Sequence, residues 1–195
     1  MSNLRHVPVD AMREILLLQE RLENLDKQGE VQESFLDYIK YIWPEFIQGD
    51  HHKIFAKKLT EIAKGNIKRL IINMPPRHTK SEFASVYFPS WVMGLKPNMK
   101  IMQTNRGGEY FAAGVGGAIT GRGADLLIID DPHSEQDALS PSALDSAYEW
   151  YTSGPRQRLQ PGGSIVIVMT RWSTIDLTAQ LLKRQTEAHA DQWDI

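Results

Sequence analysis

The sequence lacks cysteine, and it lacks any long apolar run. Without cysteine, disulfide bonds and thiolate metal sites are excluded. No stretch approaches the roughly 20 apolar residues that a membrane-spanning helix needs, and the first residues lack the apolar region of a signal peptide. We therefore expect a cytoplasmic protein that makes no contact with a membrane.

A large excess of basic charge is also missing. The 195 residues carry a formal net charge of −2 and are 42% hydrophobic. A chain with this balance is not a simple basic nucleic-acid module, so DNA contact would need a local patch or another chain. The hydrophobic content allows a real core, and the length suits one domain with an appendage.

The most informative stretch covers residues 69–88. Residues 70–72 form an apolar, mostly β-branched run that is typical of a buried strand. A proline-rich loop follows, and the residues after Ser81 predict the first turns of a helix. Strand, tight loop, Lys80-Ser81 and helix is the order of a phosphate-binding loop. Lys80 would reach the outer phosphates of a nucleotide, and the Ser81 hydroxyl would hold Mg²⁺.

This stretch departs from the general phosphate-loop pattern at two positions. The pattern has glycine where this chain has Met74 and Thr79. Taken alone, the stretch is also compatible with a strand-to-helix turn that carries a solvated lysine. The segments downstream decide between the two interpretations.

A second apolar run, residues 126–129, ends in two carboxylates. Such a run is typical of a strand buried in a parallel sheet, and the chemistry of open α/β sheets lies at the carboxyl ends of strands. Because Asp130 and Asp131 follow Lys80 and Ser81 in the expected order, we interpret them as neighbours of Mg²⁺ and of an attacking water. The alternative is a simple turn signal.

Helical patterns flank these runs. They predict helices over residues 9–27, 32–42, 53–64, 144–151 and 175–184. A third apolar run, residues 164–170, ends in Thr170, and residues 100–103 are a short candidate strand. Strands that alternate with helices predict an α/β fold with a largely parallel sheet flanked by helices. We expect an N-terminal helical segment over residues 1–48 and the main domain over residues 49–195.

Local signals refine this outline. We expect Gly29 to break the N-terminal helices apart and Pro89 to end or kink the helix after Ser81. Ser173 or Thr174 is the expected cap of the last helix. The pair His51-His52 predicts a turn or helix cap, because no acidic or cysteine partners lie at ligand spacing.

Three further expectations concern packing and turns. Ile54 is expected to face inward from its helix, together with Leu59 and Ile62. The glycine-rich residues 106–123 predict short strands around tight turns. Residues 188–195 show no compact closing element.

Several motifs, taken in chain order, resemble one family. Residues 74–82 (MPPRHTKSE), 120–132 (TGRGADLLIIDDP) and 167–172 (IVMTRW) resemble the ATPase domain of the large terminase subunit of tailed bacteriophages. Residues 46–52 (FIQGDHH) and 107–111 (GGEYF) resemble the same family. The resemblance covers about residues 34–195, and the occurrence of all motifs in order makes it specific.

The resemblance implies a P-loop NTPase-like fold and an ATP-driven motor with a deviant phosphate loop. Arg77 matches a basic residue that senses or stabilises the γ-phosphate, and Thr170 matches the motif that couples hydrolysis to movement. Asp130 matches the carboxylate of the Mg²⁺ site, with Ser81 as the second ligand. Asp131 stands where many members carry a catalytic glutamate; if the shorter side chain cannot reach the water, another residue would act as base. The implied nucleotide-binding residues are Pro76, Arg77, His78, Thr79, Lys80 and Ser81.

The resemblance also implies partners. The chain would thread double-stranded viral DNA into a procapsid in the host cytoplasm, as a homo-oligomeric ring with the portal protein and the small terminase subunit. Family members continue past the position of Ile195 into a nuclease domain, so we expect no DNA cutting by this chain. They also have a longer segment after Gln103, so we expect a shortened ATPase domain with a missing strand or a rearranged sheet edge.

Two other interpretations stay open at this point. The chain could be a non-catalytic terminase remnant that binds nucleotide, or that binds only the portal or the small subunit. It could also be another P-loop NTPase, such as a helicase. ATP hydrolysis measured with and without DNA distinguishes an active motor from a remnant.

Overall fold

The structure is a computed structural model, and it describes residues 9–104 and 123–195. The chain divides into two compact units, Met1–Ile47 and Gln48–Ile195. The glycine-rich residues 105–122 lie outside the described part, and so do the short strands expected there and the motif at residues 107–111.

The N-terminal unit contains helix α1 (Val9–Glu33) and helix α2 (Phe35–Ile42). The expected break at Gly29 is wrong, because one glycine costs a helix interior only about 1 kcal/mol. The break comes at Ser34, which has an extended backbone and accepts a hydrogen bond from the Asp37 N–H at 3.3 Å. Ser34 is therefore the N-cap of α2. Leu18 and Leu22 of α1 are more than half exposed.

The main unit is an α/β structure, as the sequence predicts. Its helices are α3 (Asp50–Lys64), α4 (Phe88–Leu95), α5 (Pro141–Ser153) and α6 (Leu177–Arg184), and its strands are β1 (Arg69–Asn73), β2 (Ile101–Thr104), β3 (Ala124–Asp130) and β4 (Leu159–Met169). Among the helices of residues 9–104 and 123–195, none combines the length and apolar character needed to cross a membrane.

All four strands are parallel, in the order β1-β4-β3-β2. β2 pairs with β3 from Ile101 opposite Leu126 to Thr104 opposite Ile129. The candidate strand at residues 100–103 is thus confirmed, and it lies next to the strand that ends in Asp130. Residues 105–123 join β2 to β3, which exceeds the dozen or so residues that a parallel crossover needs.

The strands are apolar because both faces of the sheet are covered. On one face, residues of all four strands pack with α5, α6 and the last residues of the chain. This cluster comprises Ile71, Met102, Ala124, Leu127, Ile129, Tyr151, Ile165, Ile167, Met169, Leu177, Leu181 and Trp193. Strand residues alternate between faces, and Leu70, Ile128, Val166 and Val168 on the other face are fully buried as well. The sheet is therefore a rigid base for the residues that follow its strands.

The helix after Ser81 does not end at Pro89. A π-helical turn, Glu82–Tyr87, leads directly into α4, and the Phe88 N–H donates to the Phe83 carbonyl five residues back. Of the end or kink expected at Pro89, the end does not occur, because the proline stands in the first turn of α4, where its missing N–H costs no hydrogen bond within that helix. The irregular turn precedes the proline.

Two further expectations about helices need correction. Ile54 is 65% exposed, because the buried stripe of α3 runs through His52, Phe55 and Leu59 and passes it by. The cap of α6 is Asp176, whose carboxylate accepts from the Ala179 N–H at 3.0 Å. Neither Ser173 nor Thr174 has that position, because the helix begins two residues later than its apolar pattern suggested.

The last residues of the chain do pack against the main unit, so the expected lack of a closing element is wrong. Asp194 makes a parallel bridge to β1, donating its N–H to the Arg69 carbonyl and accepting from the Ile71 N–H. Asp191 forms ion pairs with Arg69 at 2.9 Å and with Arg156 at 2.8 Å. Against the opposing effect of burial, the two guanidinium groups lower the pKa of Asp191. The segment is thus fixed to the free edge of β1.

We expect Trp193→Ala to destabilise the chain by about 3 kcal/mol, the typical cost of removing a large aromatic side chain from a core. Trp193 is 8% exposed and packs beside Tyr151. The free energy of unfolding, measured by chemical denaturation, tests this expectation. The control Ile195→Ala removes a side chain that is 63% exposed and should change stability by less than about 0.5 kcal/mol. Equal effects of both variants would show that the tail does not pack as described.

Candidate active site

Polar residues that follow three strands meet at the carboxyl edge of the sheet. Residues 74–81, hereafter the Lys80 loop, follow β1, and Thr170 follows β4. Asp130 is the last residue of β3, and Asp131 follows it. The register sets Asp130 opposite Val168 of β4, so the strands end at nearly the same level. Since β4 lies between β1 and β3, Thr170 lies between the Lys80 loop and the acidic pair.

Lys80 and Asp131 form an ion pair in which Lys80 Nζ lies 2.7 Å from Asp131 Oδ2. Lys80 is 7% exposed, whereas 40% of the Asp131 side chain is exposed. Asp131 Oδ1 accepts a hydrogen bond from the Thr170 N–H at 3.0 Å. The Asp131 N–H donates to the Val168 carbonyl at 2.8 Å. The carboxylate is thus oriented through both oxygens and can still be reached by water.

Asp130 is buried and is held by two hydroxyl groups. Ser81 donates to Asp130 Oδ1 at 3.1 Å, and Ser85 donates to Asp130 Oδ2 at 2.7 Å. Burial raises the pKa of Asp130, and the neighbouring Asp131 acts in the same direction, against the two hydroxyls and the charge of Lys80. A cation beside this carboxylate would offset the cost of burying its charge.

The backbone of the Lys80 loop shows how the chain accommodates Met74 and Thr79, the two departures from the glycine pattern. The Met74 N–H donates to the Met169 carbonyl at 3.1 Å, and the Met74 carbonyl accepts from Thr170 Oγ1 at 3.2 Å. Met74 therefore continues the hydrogen bonding between β1 and β4. Thr79, in contrast, has a φ of +56°, which glycine adopts freely and which costs a threonine about 1–3 kcal/mol.

His52, in the first turn of α3, contacts this strained residue. Its Nδ1 accepts a hydrogen bond from the Gly49 N–H at 2.8 Å, so the predicted helix-cap role is confirmed for His52. Its Nε2 lies 2.7 Å from Thr79 Oγ1. Because Nδ1 is an acceptor, the proton of the neutral ring is on Nε2, which donates to Thr79. Thr79 Oγ1 donates in turn to the His78 carbonyl at 2.7 Å.

The surroundings of His52 favour its neutral form. Burial lowers the pKa of His52, and the neighbouring His51 and His78 act in the same direction. The imidazole ring also stacks on Phe83, with ring centroids 5.1 Å apart. The ring therefore keeps the single proton that the two hydrogen bonds require.

The structure brings together five of the residues singled out in the sequence. Lys80, Ser81, Asp130, Asp131 and Thr170 form one connected set of contacts. Pro76, Arg77 and His78, also expected to bind nucleotide, are exposed at the tip of the Lys80 loop. Within the tip, His78 Nδ1 lies 2.9 Å from the Pro76 carbonyl oxygen.

The sequence interpretation did not include Ser85 or the contact of His52 with Thr79. A signal for Ser85 was present, because it follows Ser81 by four residues and helical residues at that spacing share a face. The contact between His52 and Thr79 joins residues that are 27 positions apart, and no local pattern indicates it.

Neither a search for clusters of metal-binding side chains nor comparison with known proteins identifies a ligand of the site. In the part of the chain that the structure describes, no group of three or more His, Cys, Asp or Glu side chains is arranged to hold a metal ion. Comparison with models of protein families gives no match, and comparison with curated proteins gives no relative of significant similarity. The resemblance to terminases therefore rests on the sequence motifs.

Proposed function

We propose that this chain is a Mg²⁺-dependent ATPase with a P-loop NTPase-like fold, acting as the motor domain of a bacteriophage large terminase subunit. One observation carries the proposal: Lys80 pairs with Asp131, and Ser81 pairs with Asp130, at the carboxyl edge of a parallel sheet. Phosphoryl transfer needs positioning and neutralisation of charge more than covalent chemistry. These four side chains supply a cation, a hydroxyl and two carboxylates in one place.

Ser81 and Asp130 suit a Mg²⁺ ion. They offer hard oxygen donors 3.1 Å apart, and Mg²⁺ in nucleotide sites commonly takes one or two protein oxygens, with water and phosphates as the other ligands. A bound Mg²⁺ would neutralise charge on the β- and γ-phosphates. Ser85 would keep Asp130 in place through its hydrogen bond to the other carboxylate oxygen.

Asp131 is proposed to orient or deprotonate the attacking water. Its carboxylate is the more exposed of the two, and the Thr170 N–H fixes its direction. Lys80 would leave Asp131 for the phosphates when ATP binds, because a triphosphate carries more negative charge than one carboxylate. That exchange frees Asp131 Oδ2 for water at the moment when the substrate is in place.

Thr170 is proposed to couple hydrolysis to movement. Its N–H contacts Asp131, and its hydroxyl contacts the first residue of the Lys80 loop, Met74. A movement of groups at the phosphates would thus be transmitted to Thr170, at the end of β4, through Asp131 on one side and through Met74 on the other. Arg77, exposed in the same loop, is placed by the proposal near the γ-phosphate as an additional positive charge.

The proposal extends to partners through the motif resemblance. Double-stranded viral DNA would be the substrate that is moved, with the portal protein and the small terminase subunit as protein partners. The chain would act in a homo-oligomeric ring on the procapsid. A neighbouring subunit or DNA would then complete the site, so we propose slow ATP turnover by the isolated chain.

Steady-state ATP hydrolysis tests the function. The purified chain is assayed alone, with double-stranded DNA, and with procapsids that carry portal protein. Turnover that rises with DNA or procapsids supports the motor, whereas ATP binding without hydrolysis in every condition supports a non-catalytic remnant. If the chain binds no ATP in the presence of Mg²⁺, the proposed function is wrong.

Asp130→Asn is expected to weaken Mg²⁺-dependent ATP binding by about 10-fold or more, the range seen when support for a bound metal is lost. Titration with a fluorescent ATP analogue, in Mg²⁺ and again in a chelator, measures the effect. The control Asp125→Asn alters a carboxylate at the opposite end of β3, where Asp125 accepts from the Lys100 N–H. Equal loss in both variants, or a loss that persists in the chelator, contradicts a metal role for Asp130.

A further inference from the structure

The first turn of α3 packs against the residues that flank Lys80 and Ser81. His52 is 6% exposed. It contacts Thr79, the residue before Lys80, through a 2.7 Å hydrogen bond. It also stacks on Phe83, two residues after Ser81. A single side chain from another helix therefore contacts both sides of the Lys80-Ser81 pair.

Thr79 is a strained residue of the Lys80 loop, as is Arg77 two residues earlier. Its φ of +56° belongs to the left-handed region, which β-branched residues rarely adopt. Its carbonyl nevertheless accepts the Phe83 N–H at 3.0 Å, the hydrogen bond that starts the helix behind Lys80. If Thr79 relaxed to a common conformation, this hydrogen bond and the direction of Lys80 would change together.

The only polar atom of the Thr79 side chain is fixed on both sides. Thr79 Oγ1 accepts from His52 Nε2 and donates to the His78 carbonyl. His52 is in turn fixed by the Gly49 N–H at its other ring nitrogen. The chain of hydrogen bonds runs from the backbone of Gly49, the N-cap of α3, to the backbone of the Lys80 loop. It holds Thr79 where a glycine would need no such support.

We infer that His52 is a positioning residue, which holds Thr79 in its left-handed conformation and so directs Lys80 and Ser81 toward Asp131 and Asp130. The inference rests on the proposed ATPase function for its effect on ATP, and on geometry alone for its effect on the Lys80 loop. His52 would itself touch no reacting atom. The general phosphate-loop pattern has glycine at the position of Thr79, and glycine adopts the left-handed conformation freely. Here the hydrogen bond from His52 holds a threonine in that conformation.

Two substitutions separate this role from simple helix capping. His52→Asn places an amide oxygen near the position of Nδ1, so it keeps the acceptor for the Gly49 N–H but is too short to reach Thr79. His52→Gln places an amide nitrogen near the position of Nε2, so it keeps the donor to Thr79 but loses the cap. Thr79→Val removes the hydroxyl from the loop side while α3 stays unchanged.

We expect His52→Asn and Thr79→Val to raise the KM for ATP about 10-fold, near the upper range for loss of one hydrogen bond, with kcat changed less than about 3-fold. A change in KM alone is the signature of lost binding shared by ground state and transition state. His52→Gln should stay within about 3-fold of the wild type. Equal KM values for His52→Asn and His52→Gln would overturn the inference.

Glycine at position 79 supplies a rescue test. Thr79→Gly serves as the reference background, because glycine adopts the left-handed conformation without a tether. In that background, His52→Asn should raise the KM for ATP by less than about 3-fold. If His52 merely stabilised α3, His52→Asn would raise the KM by the same factor with threonine or glycine at position 79. That result would contradict the positioning role.

A readout without ATP keeps the inference separate from the proposed function. The Phe83 amide, which donates to the Thr79 carbonyl, reports on the turn through its hydrogen-exchange rate by NMR. His52→Asn should raise that rate about 10-fold, and His52→Gln less than about 3-fold. If the wild type binds no ATP, the proposed function fails but this exchange pattern still decides the inference. An unchanged Phe83 rate in His52→Asn would refute it.

Discussion

Lys80→Ala is expected to abolish ATP turnover, with a fall of about 10³-fold or more, at the upper end for loss of one preorganised charge. Lys80 Nζ is held 2.7 Å from Asp131 and directly beside the Ser81–Asp130 contact. Among the residues that the structure describes, Lys80 is the buried Lys or Arg side chain, and in the proposed site it would meet the phosphates. ATP affinity, measured by titration, should fall together with turnover.

The fold should survive this substitution. Removing Lys80 leaves Asp131 unpaired, but 40% of the Asp131 side chain is exposed, so water can solvate its charge. Thermal unfolding should therefore stay close to that of the wild type. The matched control is Lys53→Ala, which removes another lysine paired with an aspartate, Asp50, on the exposed surface of α3. Unchanged ATP affinity and turnover in Lys80→Ala would exclude the phosphate-loop role.

Asp131→Asn is expected to slow ATP hydrolysis by about 10²-fold or more, the usual effect of losing a general base, and to leave ATP binding largely intact. Asparagine keeps an oxygen for the Thr170 N–H, so the position of the side chain is preserved. It loses the negative charge that pairs with Lys80 and that would accept a proton from water. Lys80 is then free for the phosphates, so we expect no loss of affinity.

The contrast with Asp130→Asn makes this prediction specific. The two residues are adjacent, and each contacts one residue of the Lys80-Ser81 pair. Single-turnover kinetics with saturating ATP separate binding from chemistry in both variants. If Asp131→Asn loses binding while Asp130→Asn loses only the chemical step, the two roles are reversed.

The sequence was sufficient to predict the α/β class and the strands that end at the site. Each of these strands is a local, strongly apolar run, and such runs are typical of strands buried in a parallel sheet. The assembly of Lys80, Ser81, Asp130 and Asp131 follows from the same logic. The carboxyl ends of parallel strands share one edge, so polar residues placed there meet.

The sequence was insufficient where a contact joins distant segments or where propensity is weak. Asp194 pairs with β1 through backbone groups, and backbone pairing leaves no signature in side chains. The helix passes through Gly29 because a cost of about 1 kcal/mol is within what neighbouring residues can offset. Thr79 shows the opposite case, since its left-handed conformation depends on His52, a residue outside the loop.

The order β1-β4-β3 has a geometric consequence for the site. Neighbouring strands lie about 4.8 Å apart, so a single intervening strand sets the backbones of β1 and β3 about 10 Å apart at the edge. This separation applies to the strand ends, with Thr170 between them, whereas the Lys80 loop itself reaches the acidic pair, since Ser81 Oγ lies 3.1 Å from Asp130 Oδ1. Ladder hydrogen bonds of β4 fix the spacing of the strand ends, so side-chain substitutions at the site alter its chemistry but leave that spacing unchanged.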